Sequence, residues 1–292
     1  MPPWTRGTAE STTVVVDEVA SPQTIAEALA FMKRRPDCIP WAGGTLLSGQ
    51  TGLRRSDRPV AILDLGRIAE LRQTSRSERY MEFGACVTLS SILALPAHLQ
   101  LEPLREAAGM IGTSTVRSLA TLGGNVAARQ SFLSCFAALS CMDAMLEIRN
   151  AAGTAWVSIQ SIVGFDWAPA FPEASLLTRL RVPARSWDFT AVRRLGDASG
   201  GNRTGAVFAA TARLDRGAIA EVRLVAAGMK MVRDRDLELS LPGKRFPLTG
   251  KALEAARDLA VTTALDRGFD AIHSERFGSY LAAFLGSWED KS

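Results

Sequence analysis

Apolar positions near the start of the chain recur at helical spacing: Ile25, Leu29 and Met32 share one face of a segment over about residues 22–35, opened by Ser21-Pro22 as an N-cap with proline at the first helical position. The run Cys38-Ile39-Pro40-Trp41-Ala42 then reads as a short strand. From about residue 59 to residue 166 the pattern mixes strands, at 61–65, 80–85 and 144–149, with helices near 103–111 and 133–142. A third region begins near Pro172. It carries strand-like runs at 176–182, 189–194, 206–214 and 218–226 and closes on two helices, about 250–266 and 274–288. Between them the charged stretch 231–236 predicts an exposed turn. No internal repeat or low-complexity tract breaks this order.

Two glycine pairs punctuate the pattern. Ala42-Gly43-Gly44-Thr45 follows the first short strand, and Thr121-Leu122-Gly123-Gly124-Asn125 precedes an apolar, helix-like stretch. Glycine admits positive φ and lets a ligand come close to the backbone, so consecutive N–H groups can converge on an anion. With the hydroxyls of Thr45 and Thr121 beside them, the two pairs predict two halves of one phosphate cradle. Neither contains G-x-G-x-x-G or G-x-x-x-x-G-K-[ST], so a Rossmann or P-loop nucleotide site is not supported.

Composition narrows the chemistry further. A chain of 292 residues, 47% apolar and 22% charged, is ordinary for a globular protein. Its net charge of +4 is small, and no basic run exceeds Lys33-Arg34-Arg35, so nucleic acid is not implied as a partner. The cysteines Cys38, Cys86, Cys135 and Cys141 stand in no metal-ligand spacing and read as buried thiols. His98 and His273 are the only histidines, and there is no G-x-S-x-G elbow, so no catalytic or metal-ligating side chain is assigned. Residues 1–13 lack the apolar core of a secretory signal, and no apolar run is long enough to span a bilayer; a cytoplasmic protein is expected.

The segment Val116-Arg117-Ser118-Leu119-Ala120-Thr121-Leu122-Gly123-Gly124-Asn125 resembles the signature I-R-N-x-A-T-I-G-G-N of the FAD-binding medium subunits of molybdenum hydroxylases, the xanthine dehydrogenase and carbon monoxide dehydrogenase flavoproteins. Ala42-Gly43-Gly44-Thr45 resembles that family's first flavin loop. Ile62-Leu63-Asp64-Leu65, Ile68-Ala69-Glu70-Leu71 and Phe83-Gly84-Ala85-Cys86-Val87-Thr88 match it in order, so the resemblance covers nearly the whole chain. It implies an α+β fold: a two-lobed PCMH-type FAD-binding domain over residues 1–168, with lobes of about 1–58 and 59–168, and a C-terminal subdomain over 169–292. In that subdomain an antiparallel sheet packs on a helical bundle, as in the carbon monoxide dehydrogenase flavoproteins. The resemblance also implies non-covalent FAD. Its pyrophosphate would be held by backbone N–H groups of Ala42, Gly43, Gly44, Thr45 and Leu46 and of Thr121, Leu122, Gly123, Gly124 and Asn125, with the Asn125 amide serving the flavin or the loop itself.

Two positions depart from the family. Leu46 stands where Asp or Ser is usual, and Ser134, nine residues beyond Asn125, stands where an Asp binds the ribityl chain. A hydroxyl keeps a hydrogen bond there but loses its charge-assisted part, on the order of 1 kcal/mol, which implies weaker FAD retention. The stretch from Pro172 to Pro183 resembles the family's P-G-E-L-L-T-x-I-x-I-P strand. It makes Leu177 the candidate beside the isoalloxazine ring, with core packing as its other role. Arg193 is the candidate cation facing the flavin, with an exposed strand position as its other role. The function implied is electron transfer, from iron–sulfur clusters on a partner chain through FAD to an external acceptor, with no general base required. Molybdopterin and [2Fe-2S] clusters are then expected only on partner chains, a large and a small subunit, in a dimer of heterotrimers. A stand-alone flavin oxidase of the vanillyl-alcohol-oxidase-like superfamily and a flavin-free assembly subunit are the alternatives, the second motivated by Leu46 and Ser134.

Overall fold

In the computed structural model, residues 15–49, 59–128, 134–162, 172, 174–196, 205–228 and 231–286 are described. The N-terminal lobe runs β1 (Val16–Ala20), α1 (Ile25–Arg34), β2 (Ile39–Trp41), α2 (Thr45–Gly49) and β3 (Val60–Asp64), and its strands form a parallel sheet in the order β1-β3-β2. Central β3 is buried from Val60 to Leu63, which is why it reads as a continuous apolar run without alternation. Helix α1 begins later than Ser21-Pro22 suggests. Thr24 caps it, accepting from the Glu27 N–H at 3.2 Å, while Glu27 Oε2 accepts from the Gln23 N–H at 2.8 Å. This reciprocal pair satisfies amides that Ser21 is too far away to reach.

The second lobe carries β4 (Thr74–Arg76), β5 (Tyr80–Gly84), α3 (Leu89–Leu93), α4 (Glu102–Gly109), α5 (Ser114–Leu119), α6 (Leu122–Ala127), α7 (Ser134–Cys141), β6 (Met145–Asn150), β7 (Gly153–Ser158) and β8 (Leu176–Pro183). Its strands make an antiparallel sheet in the order β4-β5-β8-β6-β7. Although β8 lies beyond residue 168, it is the middle strand, so this sheet is completed only at Pro183. Strand β7 escapes the sequence pattern because none of its residues is buried. One face of the sheet packs with α4, α6 and α7 into the central core, and α7 is buried along all eight of its residues. On the sheet's polar positions Arg179 lies 3.3 Å from Glu82 and 3.6 Å from Glu147. Arg181 pairs with Glu82 at 2.6 Å and stacks on the Trp156 ring.

Beyond it, β9 (Phe189–Leu195), β10 (Ala206–Asp215), β11 (Ala218–Ala227) and β12 (Met231–Val232) form an antiparallel sheet, followed by α8 (Arg235–Leu239), α9 (Gly250–Asp266) and α10 (Ala271–Gly286). Both faces of this sheet are covered. Along β10, Val207 and Ala209 join the central core with α7, whereas Phe208, Ala210 and Ala212 join a separate core with α9 and α10. The result is an α+β chain with a helix-backed C-terminal sheet.

The stretch 231–236 is not an exposed turn. Arg233, with a side chain 12% exposed, lies 2.7 Å from Asp143 and 3.1 Å from Glu238, and Asp234 caps α8 by accepting from the Leu237 N–H at 2.9 Å. Charge density marks an ion network here because its partners, Asp143 above all, come from a distant part of the chain. Burial pushes the Glu238 carboxyl above its ordinary range even though Arg233 and Arg223 pull it down.

A buried carboxyl with a raised folded-state pKa holds its proton to higher pH than the unfolded chain does. Its contribution to stability is therefore present at low pH and lost as pH rises through the folded-state value. Relative to Glu238→Gln, the wild type should lose unfolding free energy as pH is raised from about 4 to about 8, read by urea denaturation at each pH. A constant difference across that range would place the Glu238 carboxyl at its ordinary value. All four cysteines are free and buried, and burial pushes Cys86, Cys135 and Cys141 up to about 12, with Cys38 also raised. Because the thiolate is the reactive form, the native protein at neutral pH should resist a thiol reagent such as DTNB and titrate all its thiols only once unfolded. Prompt labelling of the native protein would contradict this.

Candidate functional site

The fold brings the two glycine pairs together. A Cβ on Gly43 would fall 1.9 Å from the Leu119 carbonyl oxygen and 3.1 Å from Ala120 Cα, so glycine alone lets the first turn rest on the backbone that leads into the second. Gly123 makes the same kind of approach to Ala85, whose carbonyl oxygen would lie 2.6 Å from an added Cβ and accepts the Gly123 N–H at 2.8 Å. Residues 85–88, at the exit of β5, act as a strut for this junction. The Leu122 N–H donates to Val87 O at 2.9 Å, the Leu89 N–H to Ala120 O at 2.9 Å, and the Ala85 N–H to Thr178 O of β8 at 3.0 Å. The Cys86 N–H ties the strut to Leu71 O at 2.7 Å, beside the core of the N-terminal lobe.

The second pair is the first turn of α6, not an open loop. Thr121 caps the helix, its Oγ1 accepting from the Gly124 N–H at 3.1 Å, and Thr121 O takes the Asn125 N–H at 2.9 Å. The N–H groups of Leu122, Gly123, Gly124 and Asn125 thus all have acceptors within the chain. Polar capacity at this end of the site resides in side chains instead. Asn125 is 8% exposed and Ser134, the first residue of α7, is fully buried, yet Asn125 Oδ1 and Ser134 Oγ have no hydrogen-bond partner among the described residues. A buried polar atom left unpaired costs about 1–3 kcal/mol, which a complementary ligand group would remove.

The first pair is built differently. Gly44 takes φ 65° and is followed directly by α2, and the N–H groups of Ala42, Gly43, Gly44, Thr45 and Leu46 reach no acceptor among the described residues. A left-handed residue ahead of a helical turn leaves successive amides pointing into one concavity, the geometry of an anion nest. The Trp41 ring fixes this turn from below, since a Cβ on Gly44 would lie 2.2 Å from its Cζ2. Its place one residue short of the glycine pair is the only sequence sign of that support. Arg117 plays a similar part for α5, donating to Ile111 O at 3.1 Å and Gly112 O at 2.7 Å.

Two candidates remain. Leu177 is 7% exposed and belongs to the central core with Leu122 and Val126. Arg193 is half exposed; its Nη1 donates to Val192 O at 2.8 Å and lies 3.6 Å from Glu106 of α4, so its described polar contacts are not with the glycine turns. Among the described residues no group of His, Cys, Asp or Glu is arranged to hold a metal ion, and no helix is long and apolar enough to cross a membrane.

Over residues 14–185 the chain matches the family described as FAD binding domain in molybdopterin dehydrogenase. It is 26% identical over 245 residues to the nicotine 6-hydroxylase medium subunit of Paenarthrobacter nicotinovorans, covering 82% of this chain and 84% of that protein. It is 28% identical over 243 residues to the putative xanthine dehydrogenase FAD-binding subunit of Escherichia coli K12, covering 80% of each. In three dimensions it superposes on a chain of carbon monoxide dehydrogenase from Hydrogenophaga pseudoflava with a TM-score of 0.80 at 25% identity, over 94% of this chain and 97% of that one.

The junction separates two glycine substitutions that look alike in sequence. Gly43→Ala drives a methyl into backbone that cannot move aside and should cost about 1–3 kcal/mol of unfolding free energy. At Gly124 an added Cβ would meet only the Thr121 hydroxyl, 2.8 Å away. Losing that cap costs about 1 kcal/mol, and replacing glycine in a helix by alanine returns a similar amount, so Gly124→Ala should be close to neutral. Equal destabilisation of the two variants in urea would rule out backbone contact at Gly43 as the cause.

Proposed function

The chain belongs to the family of FAD binding domains in molybdopterin dehydrogenases, and from that premise we propose that it is the electron-transfer subunit of a cytoplasmic molybdenum hydroxylase, passing electrons from iron–sulfur clusters on a partner chain to an external acceptor. It is an oxidoreductase subunit that binds FAD. The observation supporting a role for its own residues is a run of uncommitted amides on the turn that packs against the backbone leading into α6, together with two buried side-chain oxygens, on α6 and at the start of α7, that have no partner among the described residues. FAD suits both. Its pyrophosphate accepts hydrogen bonds, and its ribityl hydroxyls donate and accept them.

The residues divide accordingly. The amides of Ala42, Gly43, Gly44, Thr45 and Leu46 hold the pyrophosphate, and the Thr45 hydroxyl adds a donor. Asn125 Oδ1 accepts from the cofactor, and Ser134 exchanges one neutral hydrogen bond with it. Thr121, Leu122, Gly123 and Gly124 contribute geometry, keeping α6 on its strut so that Asn125 is presented at the junction. When bound, FAD supplies the redox chemistry, taking electrons singly from a metal centre and releasing them in pairs. Proton uptake balances that two-electron reduction, and no side chain of this chain is assigned to it; the protein's work in this reading is binding and orientation. In this reading Leu177 supports the site through the core and Arg193 stays with α4. The FAD-binding unit extends through β8, and the C-terminal unit begins with β9. Non-covalent FAD sits on this chain, while molybdopterin and [2Fe-2S] clusters sit on a large and a small partner subunit, in a dimer of heterotrimers.

The purified protein or its complex should be yellow and should release FAD on acid or heat treatment. Ser134→Asp, which restores a carboxylate, should bind FAD more tightly, by on the order of 1 kcal/mol, while destabilising the cofactor-free chain. Affinity purification from the native source should recover a molybdopterin-containing large chain and an iron–sulfur small chain. A colourless protein that takes up no added FAD would indicate an assembly subunit instead, and a lone chain that oxidises a small molecule with oxygen would indicate a self-sufficient oxidase.

A further inference from the structure

Helix α7 begins at the unpartnered Ser134 hydroxyl and ends in the grip of the C-terminal unit. Ser140 O, in its last turn, accepts from Arg233 Nη1 at 2.9 Å and from Gln160 Nε2 at 3.3 Å. Asp143, just past the helix at φ 56°, takes Arg233 Nη1 at 2.7 Å on one oxygen and Arg223 Nε at 3.3 Å on the other. Cys141 Sγ donates to Arg223 O at 3.5 Å. Glu238 of α8 holds the opposite edge of the Arg233 guanidinium at 3.1 Å.

We propose that Arg233 is a positioning residue for the cofactor site: it fixes where α7 stands along its axis, and through α7 it fixes the Ser134 hydroxyl. The inference rests on the reading that Ser134 contacts FAD. Three properties of the structure carry it. All eight residues of α7 are buried, so the helix is enclosed along its length, and a displacement of one end is passed to the other through close-packed neighbours. Eight residues of α-helix span about 12 Å, so one cation at the C-terminal end acts on a hydroxyl well outside its own contact range. The planar guanidinium donates to Ser140 O, Asp143 and Glu238 together, while its charge favours the C-terminal end of the helix dipole. A lysine ammonium keeps the charge but cannot reproduce that fork.

The test is a double-mutant cycle on FAD affinity, measured by flavin fluorescence titration of the FAD-stripped full-length chain. It uses wild type, Ser134→Ala, Arg233→Lys and the double variant, with urea stability of each apo-protein recorded in parallel. Arg233→Lys keeps a cation beside Glu238, and Asp143→Asn, which removes the carboxylate that Arg233 Nη1 engages at 2.7 Å, completes the same cycle if the lysine variant does not fold. Ser134→Ala should weaken FAD binding about fivefold to tenfold. Arg233→Lys should weaken it several-fold in the wild-type background and by less than about twofold once Ser134 is already alanine, because the group it positions is gone. Equal weakening in both backgrounds, or none in either, overturns the proposal while leaving the Ser134 reading in place. If Ser134→Ala leaves FAD affinity unchanged, that reading itself fails and the proposal falls with it.

Discussion

The structure depends on bare backbone meeting bare backbone. At Gly43 against Leu119–Ala120 and at Gly123 against Ala85, main-chain atoms approach to distances that exclude any side chain. The first contact seats the turn after β2 on the segment entering α6; the second seats α6 on the exit of β5. Residues 85–88 serve both by donating and accepting the hydrogen bonds that a buried backbone requires. The N-terminal lobe, the antiparallel sheet and the short helix that carries Asn125 are thereby held by main-chain geometry, which is less yielding than side-chain packing.

That arrangement also decides which atoms are left for a ligand. An anion site at a helix start ordinarily draws on its first amides. In α6 those amides are committed to the strut and to Thr121, so the helix contributes the Asn125 side chain, while the other turn, where Gly44 reverses the chain before α2, contributes amides. The division is complementary: a side-chain acceptor on α6, backbone donors on the turn that packs against its entry. A long cofactor with both a phosphate and a polyol portion matches such a division better than a simple anion does.

Long, strongly patterned elements were legible in the residues. α9 spans the range its periodicity predicts, and β10 and β11 differ from their apolar runs by a residue at an end. The failures have specific causes. Ser21-Pro22 carries a strong local start signal, but Thr24 with Glu27 satisfies the actual first turn. β7 shows little apolar pattern, because pairing with β6 holds it in place with only Val157 packed against the core. Met231–Val232 and the charges after it looked solvated because the acid that pairs with Arg233 lies 90 residues away in the chain. At the site, the paired glycines showed where the chain would be crowded. They did not show that Gly43 would meet the backbone of Leu119–Ala120 and Gly123 that of Ala85, and so did not show which amides would remain free.

One strand gives the molecule a property that neither of its halves has alone. Alternate side chains of β10 belong to different cores, Val207 and Ala209 on the side of α7 and Phe208, Ala210 and Ala212 on the side of α9 and α10. It is a party wall. A slip of one residue in its pairing would exchange the side chains that face the two cores and mispack both at once, so its register is specified twice over. Melting the C-terminal helices would likewise strip one face of a strand whose other face roofs the helix beginning at Ser134. The two units, distinct in topology, therefore share a single cooperative fate.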